Sequence, residues 1–258
     1  MQESLVKYLA GLCDSDGCLS FSFAPAWKSE DRYCFLRMTI VQTEFADKGG
    51  AFMRSLPELT GLGSFISYES KNENHSIRNE WRVGSVSDVE KLLPRLIKHM
   101  VIKARHWQWM LETYRNLRSK TLTPDDCAEL KARSKESRLN TGPIKPRNYP
   151  SWAWTCGFLE GDGGFRNRYY KKTGRQEINV RVEIGKSDKC AIDLLYKSFG
   201  GLVYEKERTI VWRRSLGAKN ASFAKHFLSK LLRFSHIKRH QMEKILAYHR
   251  QRLNESTP

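Results

Sequence analysis

Over residues 4–15 the apolar side chains recur at helical spacing. At Cys18-Leu19-Ser20-Phe21-Ser22-Phe23 the pattern switches to alternation, which suits a half-buried strand. The same reading predicts a strand over 33–42, a helix over 48–59, and strands over 65–68 and 80–83. These last two form a hairpin across a polar turn containing Asn72, Asn74 and Asn79. Helical spacing then holds over 88–117, with a break near Met100. After a polar interval the order returns: helix 152–161, strands 164–170 and 178–185, helix 188–199, strands 202–206 and 209–214. Helical spacing closes the chain over 220–251, with a break near Ser235.

The interval has its own signals. Thr123 followed by Pro124, Asp125 and Asp126 is a helix start: a capping side chain, a proline at the first position, and acids on the positive end of the dipole. Pro143, Pro146 and Pro150 forbid a continuous helix further on. Residues 119–150 therefore read as a linker with one short exposed helix, between a first half at 1–118 and a second at 151–258.

The halves share more than an order of elements. Tyr8-Leu9-Ala10-Gly11-Leu12-Cys13-Asp14-Ser15-Asp16-Gly17 is answered by Trp154-Thr155-Cys156-Gly157-Phe158-Leu159-Glu160-Gly161-Asp162-Gly163. Each has an aromatic, a glycine three positions on, an apolar pair, an acid, a small residue, then Asp-Gly. Gly61-Leu62-Gly63 is matched by Gly200-Gly201-Leu202, Trp81-Arg82 by Trp212-Arg213, and Ile102-Lys103 by Ile237-Lys238. Matches in one order indicate a duplicated unit and a pseudo-dimer with an approximate two-fold axis.

Charge narrows the partner. The chain carries 45 Lys+Arg against 28 Asp+Glu, a formal +17, with 40% hydrophobic residues, enough to bury a core. Such a surplus points to a polyanion, nucleic acid before a membrane surface, because no basic amphipathic helix stands out. Residues 1–120 hold 17 basic and 14 acidic side chains and residues 151–258 hold 22 and 10, so the second half should supply more of the phosphate attraction. No apolar run reaches the roughly 18 residues of a spanning helix. Met1-Gln2-Glu3-Ser4 lacks the basic and apolar regions of a signal peptide, so an intracellular protein is expected. Cys13, Cys18, Cys34, Cys127, Cys156 and Cys190 form no Cys-x-x-Cys and no zinc spacing, and read as reduced structural thiols.

The paired motif has a physical reading. Gly11 and Ser15 share one helix face, as do Gly157 and Gly161, and small residues spaced by four let two helix backbones approach closely. Packing through those faces brings Asp16 and Asp162 together at the helix C-termini. There each opposes the helix dipole and each repels the other. A local rule broken identically twice marks a site. A hard divalent cation relieves the repulsion, and unpaired carbonyls such as those of Ser15 and Gly161 can add oxygen ligands. Asp14 and Glu160 point elsewhere and read as structural pairing or cap acceptors. Trp107, Trp109, Trp152 and Trp154 lie on helices and read as core rather than as base-stacking residues.

Leu9-Ala10-Gly11-Leu12-Cys13-Asp14-Ser15-Asp16-Gly17 resembles the LAGLIDADG signature, departing at Cys13 and Ser15, and Thr155–Gly163 is a looser second copy. The chain resembles a single-chain, two-motif LAGLIDADG homing endonuclease over nearly its whole length. The resemblance implies a mixed α/β (α+β) fold: a pseudo-twofold duplicated αββαββα unit with two antiparallel sheets saddling the major groove of double-stranded DNA. It implies a monomer that makes a Mg²⁺-dependent staggered double-strand break with 3′ overhangs, Ca²⁺ or Mn²⁺ being able to occupy the same site. Asp16 and Asp162 would be the metal-binding catalytic residues, assisted by the carbonyls of Ser15 and Gly161. Lys103 and Lys238 would be the basic residues near the scissile phosphates. The water-positioning role at the end of the second strand falls to Lys186 in the second half and to Glu44, with Gln42 as competitor, in the first. An alternative on the same fold is an intron-encoded maturase that binds intron RNA as a splicing cofactor. A third reading is a DNA-binding regulator with an inactive site. Mitochondrial, chloroplast and prokaryotic settings fit equally.

The strands carry side chains suited to groove readout. Ser20 and Ser22 share a face, as do Arg37 and Thr39, and Arg166, Arg168 and Tyr170. Arg181 and Glu183 share a later face, and the hairpins add Arg78, Glu80 and Arg82, then Lys206, Arg208, Arg213 and Arg214. Lys171, Lys172 and Arg175, on an expected loop, read as backbone clamps. Arginine can take guanine bidentately, whereas lysine and serine hold phosphates.

Overall fold

The computed structural model describes residues 1–43, 49–68, 77–145, 149–172 and 175–255. The first half runs α1 (Glu3–Asp16), β1 (Gly17–Pro25), β2 (Arg32–Thr43), α2 (Gly49–Thr60), β3 (Ser64–Tyr68), β4 (Arg78–Val83), α3 (Val86–Ile97) and α4 (Ala104–Leu117). Between the halves lie β5 (Thr121–Leu122) and α5 (Pro124–Ser137). The second half runs α6 (Trp152–Gly161), β6 (Gly163–Tyr170), β7 (Arg175–Gly185), α7 (Lys189–Phe199), β8 (Leu202–Glu205), β9 (Thr209–Ser215), α8 (Ala221–Leu232) and α9 (Arg239–Glu255). Among the described residues no helix is long and apolar enough to cross a membrane.

Each half folds its strands into an antiparallel sheet, β1-β2-β4-β3 and β6-β7-β9-β8. The duplication extends to register. Gly17 lies opposite Ile40 and Ile40 opposite Trp81, while Gly163 lies opposite Val182 and Val182 opposite Trp212. Alternation sends Leu19, Leu36, Met38, Ile40 and Trp81 inward in one sheet and Phe165, Val180, Val182 and Trp212 inward in the other, all into one core with the helices. The two sheets are thus roofs over a shared helical layer, each with its other face open.

α1 and α6 meet at the centre of that layer. A Cβ on Gly11 would fall 2.1 Å from the Trp154 carbonyl oxygen, and one on Gly157 would fall 2.0 Å from that of Tyr8. The backbones therefore touch, as the small-residue spacing predicts.

The interval between the halves departs from expectation. The helix start is as read, with a full capping box between Thr123 and Asp126. But α5 has 14 residues, and Cys127, Leu130 and Ser134 are buried. Cys127 and Leu130 join Cys34 and Leu122 in a small second core beside Phe21, Phe23 and Trp109, while Thr121 and Leu122 pair with the start of β2. This segment is docked on the first sheet along one stripe, while the rest of the helix is exposed as read. Its apolar stripe was too sparse to stand out from a polar helix. Asn79 also moves: it belongs to β4, not to the turn, and its side chain is buried on the inner face.

The backbone contact yields a stability test. Gly157→Ala should cost about 2 kcal/mol or more through overpacking, lowering Tm by about 4–8 °C for a chain of this size. Gly84→Ala, where an added Cβ meets nothing within 4 Å, is the control and should be near neutral. Equal melting of the two variants would refute the tight crossing.

Candidate active site

The acids two positions before the motif aspartates build the site's frame. Asp14 is buried and accepts from three consecutive backbone N–H groups, Val101 (2.6 Å), Ile102 (3.1 Å) and Lys103 (2.9 Å), and from Trp154 Nε1 (2.8 Å). Glu160 accepts from Ser235 Oγ (2.5 Å), the N–H groups of His236 (3.1 Å), Ile237 (3.0 Å) and Lys238 (2.7 Å), and Tyr8 OH (2.5 Å). Each carboxylate thus organises the break between two helices of its own half and takes one donor from the other half's motif helix. Burial lifts the Asp14 carboxyl above its ordinary value, against the pull of the Lys103 and Val101 N–H groups and Trp154. Stranding such donors would cost about 1–3 kcal/mol each. The reading of Asp14 and Glu160 as cap acceptors agrees with this geometry.

Those breaks deliver two lysines. Lys103 Nζ donates to the carbonyls of Cys13 (3.0 Å), Ser15 (2.8 Å) and Gly17 (2.8 Å). Lys238 Nζ donates to those of Leu159 (3.3 Å), Gly161 (3.1 Å) and Gly163. Each ammonium has three N–H groups, and each spends them on the C-terminal end of a motif helix. The expectation of unpaired carbonyls at Ser15 and Gly161 is therefore corrected: both already accept from a lysine. A cation there also answers the negative pole of the helix dipole. Burial pulls Lys238 below the ordinary lysine value, and Asp16, Glu160 and Asp162 pull it back up.

Asp16 ends α1 and Asp162 caps α6. The helix ends are in contact: a Cβ on Gly161 would meet Ser15 Oγ at 1.9 Å and Asp16 Oδ2 at 2.5 Å. Asp162 keeps exposed surface, yet the protein around its carboxyl removes enough water to push it up to about 6, with Asp16 adding like-charge repulsion. Burial raises Asp16 too, opposed by a hydrogen bond from Gln42 Nε2 at 2.5 Å and by Lys238 and Lys103. Among the described residues no group of three or more His, Cys, Asp or Glu could hold a metal ion. The donor set is two carboxylates among backbone carbonyls.

The halves differ at the periphery. Gln42 sits on the inner face of β2, opposite Asn79, and reaches Asp16. By register its counterpart in β7 is Ile184, opposite Ile210, which has no polar group to offer Asp162. Glu44 lies outside the described residues. Lys186 does not turn toward the aspartates but pairs with Glu205 at 3.2 Å.

The open sheet faces collect most of the side chains expected to read a groove. On the first, Ser20 lies opposite Arg37, Ser22 opposite Phe35, Thr39 opposite Arg82, and Glu80 and Arg78 continue the same face. Arg82 is held by Glu80 (2.8 Å) and Tyr68 OH (2.9 Å). On the second, Arg166, Arg168, Tyr170, Arg181, Glu183 and Arg213 share a face. Glu177 and Asn179 join them there, unforeseen although their alternation with Arg181 announces it. Glu177 holds Arg213 (2.5 Å), and Glu183 holds Arg181 and Lys206 (2.6 Å). Lys171, Lys172 and Arg208 are exposed on hairpin turns, whereas the Arg175 side chain lies outside the description. Arg214 is a correction: it alternates to the inner face, opposite Val180, with its guanidinium 4.4 Å from the Phe223 ring. The tryptophans sit as expected, Trp107 and Trp154 buried and Trp109 and Trp152 packed on the core. The six cysteines are free.

No family model matches the sequence, and no curated protein matches it. Solved structures do. The LAGLIDADG homing endonuclease I-GzeII in complex with its DNA target aligns at TM-score 0.69 and 14% identity, covering 97% of this chain and 91% of that one. The LAGLIDADG meganucleases I-CpaMI and I-AabMI, both bound to uncleaved DNA, align at 0.68 and 0.65, each at 14% identity and covering 97% of this chain and 92% of theirs. The chain has the LAGLIDADG homing endonuclease fold.

The raised Asp162 carboxyl has a thermodynamic consequence. Its folded value near 6 lies above the ordinary 3.8, so the folded state holds this proton more tightly. Its contribution to stability is therefore full at low pH and lost as pH rises through that window. In cation-free buffer Asp162→Asn should raise Tm at pH above 7 and lose that advantage toward pH 4. A Tm difference independent of pH would contradict the assignment.

Proposed function

We propose that the protein is a site-specific DNA endonuclease that makes a divalent-metal-dependent, staggered double-strand break in the major groove. What carries the reading is the adjacency of Asp16 and Asp162 at two touching helix ends, beneath two sheets whose open faces carry paired arginines. The sheets would lie in the groove, with Arg37, Arg82, Arg166, Arg168, Arg181 and Arg213 facing base edges and phosphates. Glutamates that hold Arg82, Arg181 and Arg213 orient those guanidinium groups before DNA arrives.

The donor set fits a hard cation: two carboxylates that repel each other, in a cleft where a Cβ at Gly161 would already be too much. Asp16 and Asp162 would hold it, with the Ser15 and Gly161 carbonyls directed by Lys103 and Lys238. When bound, a cation such as Mg²⁺ supplies Lewis acidity to phosphate and water. The chain's own groups do the rest. Gln42 fixes one carboxylate oxygen of Asp16. Lys103 and Lys238 act as positioning residues, because their donors are spent on backbone carbonyls and not free for phosphate.

Incubation of the protein with a randomised duplex library and Mg²⁺, followed by sequencing of cut ends, tests the activity. Cut ends should carry 3′ extensions at one recurring sequence, and blunt ends would exclude the stagger. Asp16→Asn and Asp162→Asn should each reduce double-strand cleavage by at least about a hundredfold, the scale of losing one preorganised electrostatic group, with DNA affinity retained. Full cleavage by either variant would remove the metal-site assignment.

A further inference from the structure

Helix α5 carries chemistry that the sheets do not use. Its charges are segregated. Asp125 and Asp126 lie in the first turn, and Glu129 pairs with Arg133 at 3.9 Å. Lys131, Lys135 and Arg138 follow at spacings of four and three, which places them on one face. All three are exposed, and none takes part in an ion pair among the described residues. They are not on a loose tether, because the row borders the helix's buried stripe: Cys127, four residues before Lys131, and Leu130 are anchored in the small second core, and Lys131 Nζ lies 5.2 Å over the Phe23 ring.

The row faces a shaped space. Lys131, Lys135 and Arg138, with Ser20 and Phe21 of the edge strand β1, line a trough of about 250 Å³. Arg138 also lines an adjoining hollow of about 320 Å³ with Gly17, Cys18, Lys103 and Asp188. That hollow starts one residue beyond Asp16. The trough and the hollow share Arg138, so a groove lined by cations along α5 leads from the open edge of the first sheet toward the end of the motif helix. Seven helical residues span about 10 Å, the axial rise of about three phosphates along one strand at roughly 3.4 Å each.

The first half needs such a path. Residues 1–120 hold 17 basic and 14 acidic side chains, nearly balanced, while residues 151–258 hold 22 and 10. The first half as a whole therefore carries far less net positive charge than the second.

We propose that α5 is a phosphate clamp: Lys131, Lys135 and Arg138 grip the backbone of the DNA strand that leaves the catalytic aspartates along the β1 edge. The proposal rests on the DNA-cleaving reading above and adds the connecting helix to its interface. A purely structural role for these residues, complementing the dipole at the C-terminal end of α5, would instead lower thermal stability and leave DNA binding alone.

The test uses the full chain without divalent cation, so that nothing is cut, and a duplex pool of random sequence as probe. Binding is measured between about 50 and 200 mM salt for the unsubstituted protein and the triple variant Lys131→Ala/Lys135→Ala/Arg138→Ala. A charge-matched control, Lys91→Ala/Lys219→Ala/Lys230→Ala, alters cations on and near the helices behind the sheets. The clamp variant should lose at least about tenfold in affinity at low salt. Its slope of log affinity against log salt should flatten by about 2.7, or 0.9 per phosphate contact, at unchanged Tm. The control should flatten by less than about one contact's worth. Equal slopes for the two variants overturn the clamp while the DNA reading stands. Failure of the unsubstituted protein to bind the pool overturns that reading and the clamp with it.

Discussion

With no side chain at Gly11 or Gly157, the backbones of α1 and α6 touch, and their C-termini emerge side by side. That places four acids, Asp14, Asp16, Glu160 and Asp162, where two negative helix poles already meet. The rest of the centre answers this concentration of charge. Asp14 and Glu160 are surrounded by backbone N–H groups from the helix breaks, and those breaks bring in Lys103 and Lys238. Asp16 accepts from Gln42, and Asp162 is left as the less satisfied of the pair, its carboxyl pushed up to about 6 by burial with the Asp16 charge adding to it.

The duplicated plan was legible because it repeats. A motif helix ending in Asp-Gly, the alternation of β1 and β6, and the Ile-Lys pairs each gain weight from a second copy. The small-residue spacing also predicted the helix crossing correctly, since Gly at two positions four residues from another small one leaves few other uses. What one sequence did not disclose were long-range partners. Nothing local in Lys103 says that it faces the carbonyls of Cys13, Ser15 and Gly17. The family resemblance drew attention to the residue, but its three spent donors make it a brace for the helix end. Strand alternation sends Arg213 and Arg214 to opposite faces, so adjacency in sequence does not give both the same partner. In α5, three buried residues in a polar helix give little periodicity to read.

The halves are alike in frame and unlike in detail. Gln42 engages Asp16, whereas the register puts Ile184 at the matching position of the second half, and Lys186 is drawn to Glu205. The first half is nearly balanced in charge and its sheet is flanked by a helix, while the second half is strongly basic and holds its sheet arginines with Glu177 and Glu183. A pseudo-symmetric molecule with these differences presents two unequal faces.

Tyr8 donates to Glu160 and Trp154 to Asp14, so each half's central carboxylate is completed by the other half's aromatic. The donors are matched to their acceptors by reach: the phenol meets the longer acid and the indole the shorter one. A protein assembled from two copies of residues 1–118 would set a tyrosine against each aspartate, and two copies of 151–258 would set an indole against each glutamate. Neither pairing keeps the native distances. The present sequence has therefore committed its halves to one another, and recombining them with halves from elsewhere requires that the aromatic and the acid travel as a set.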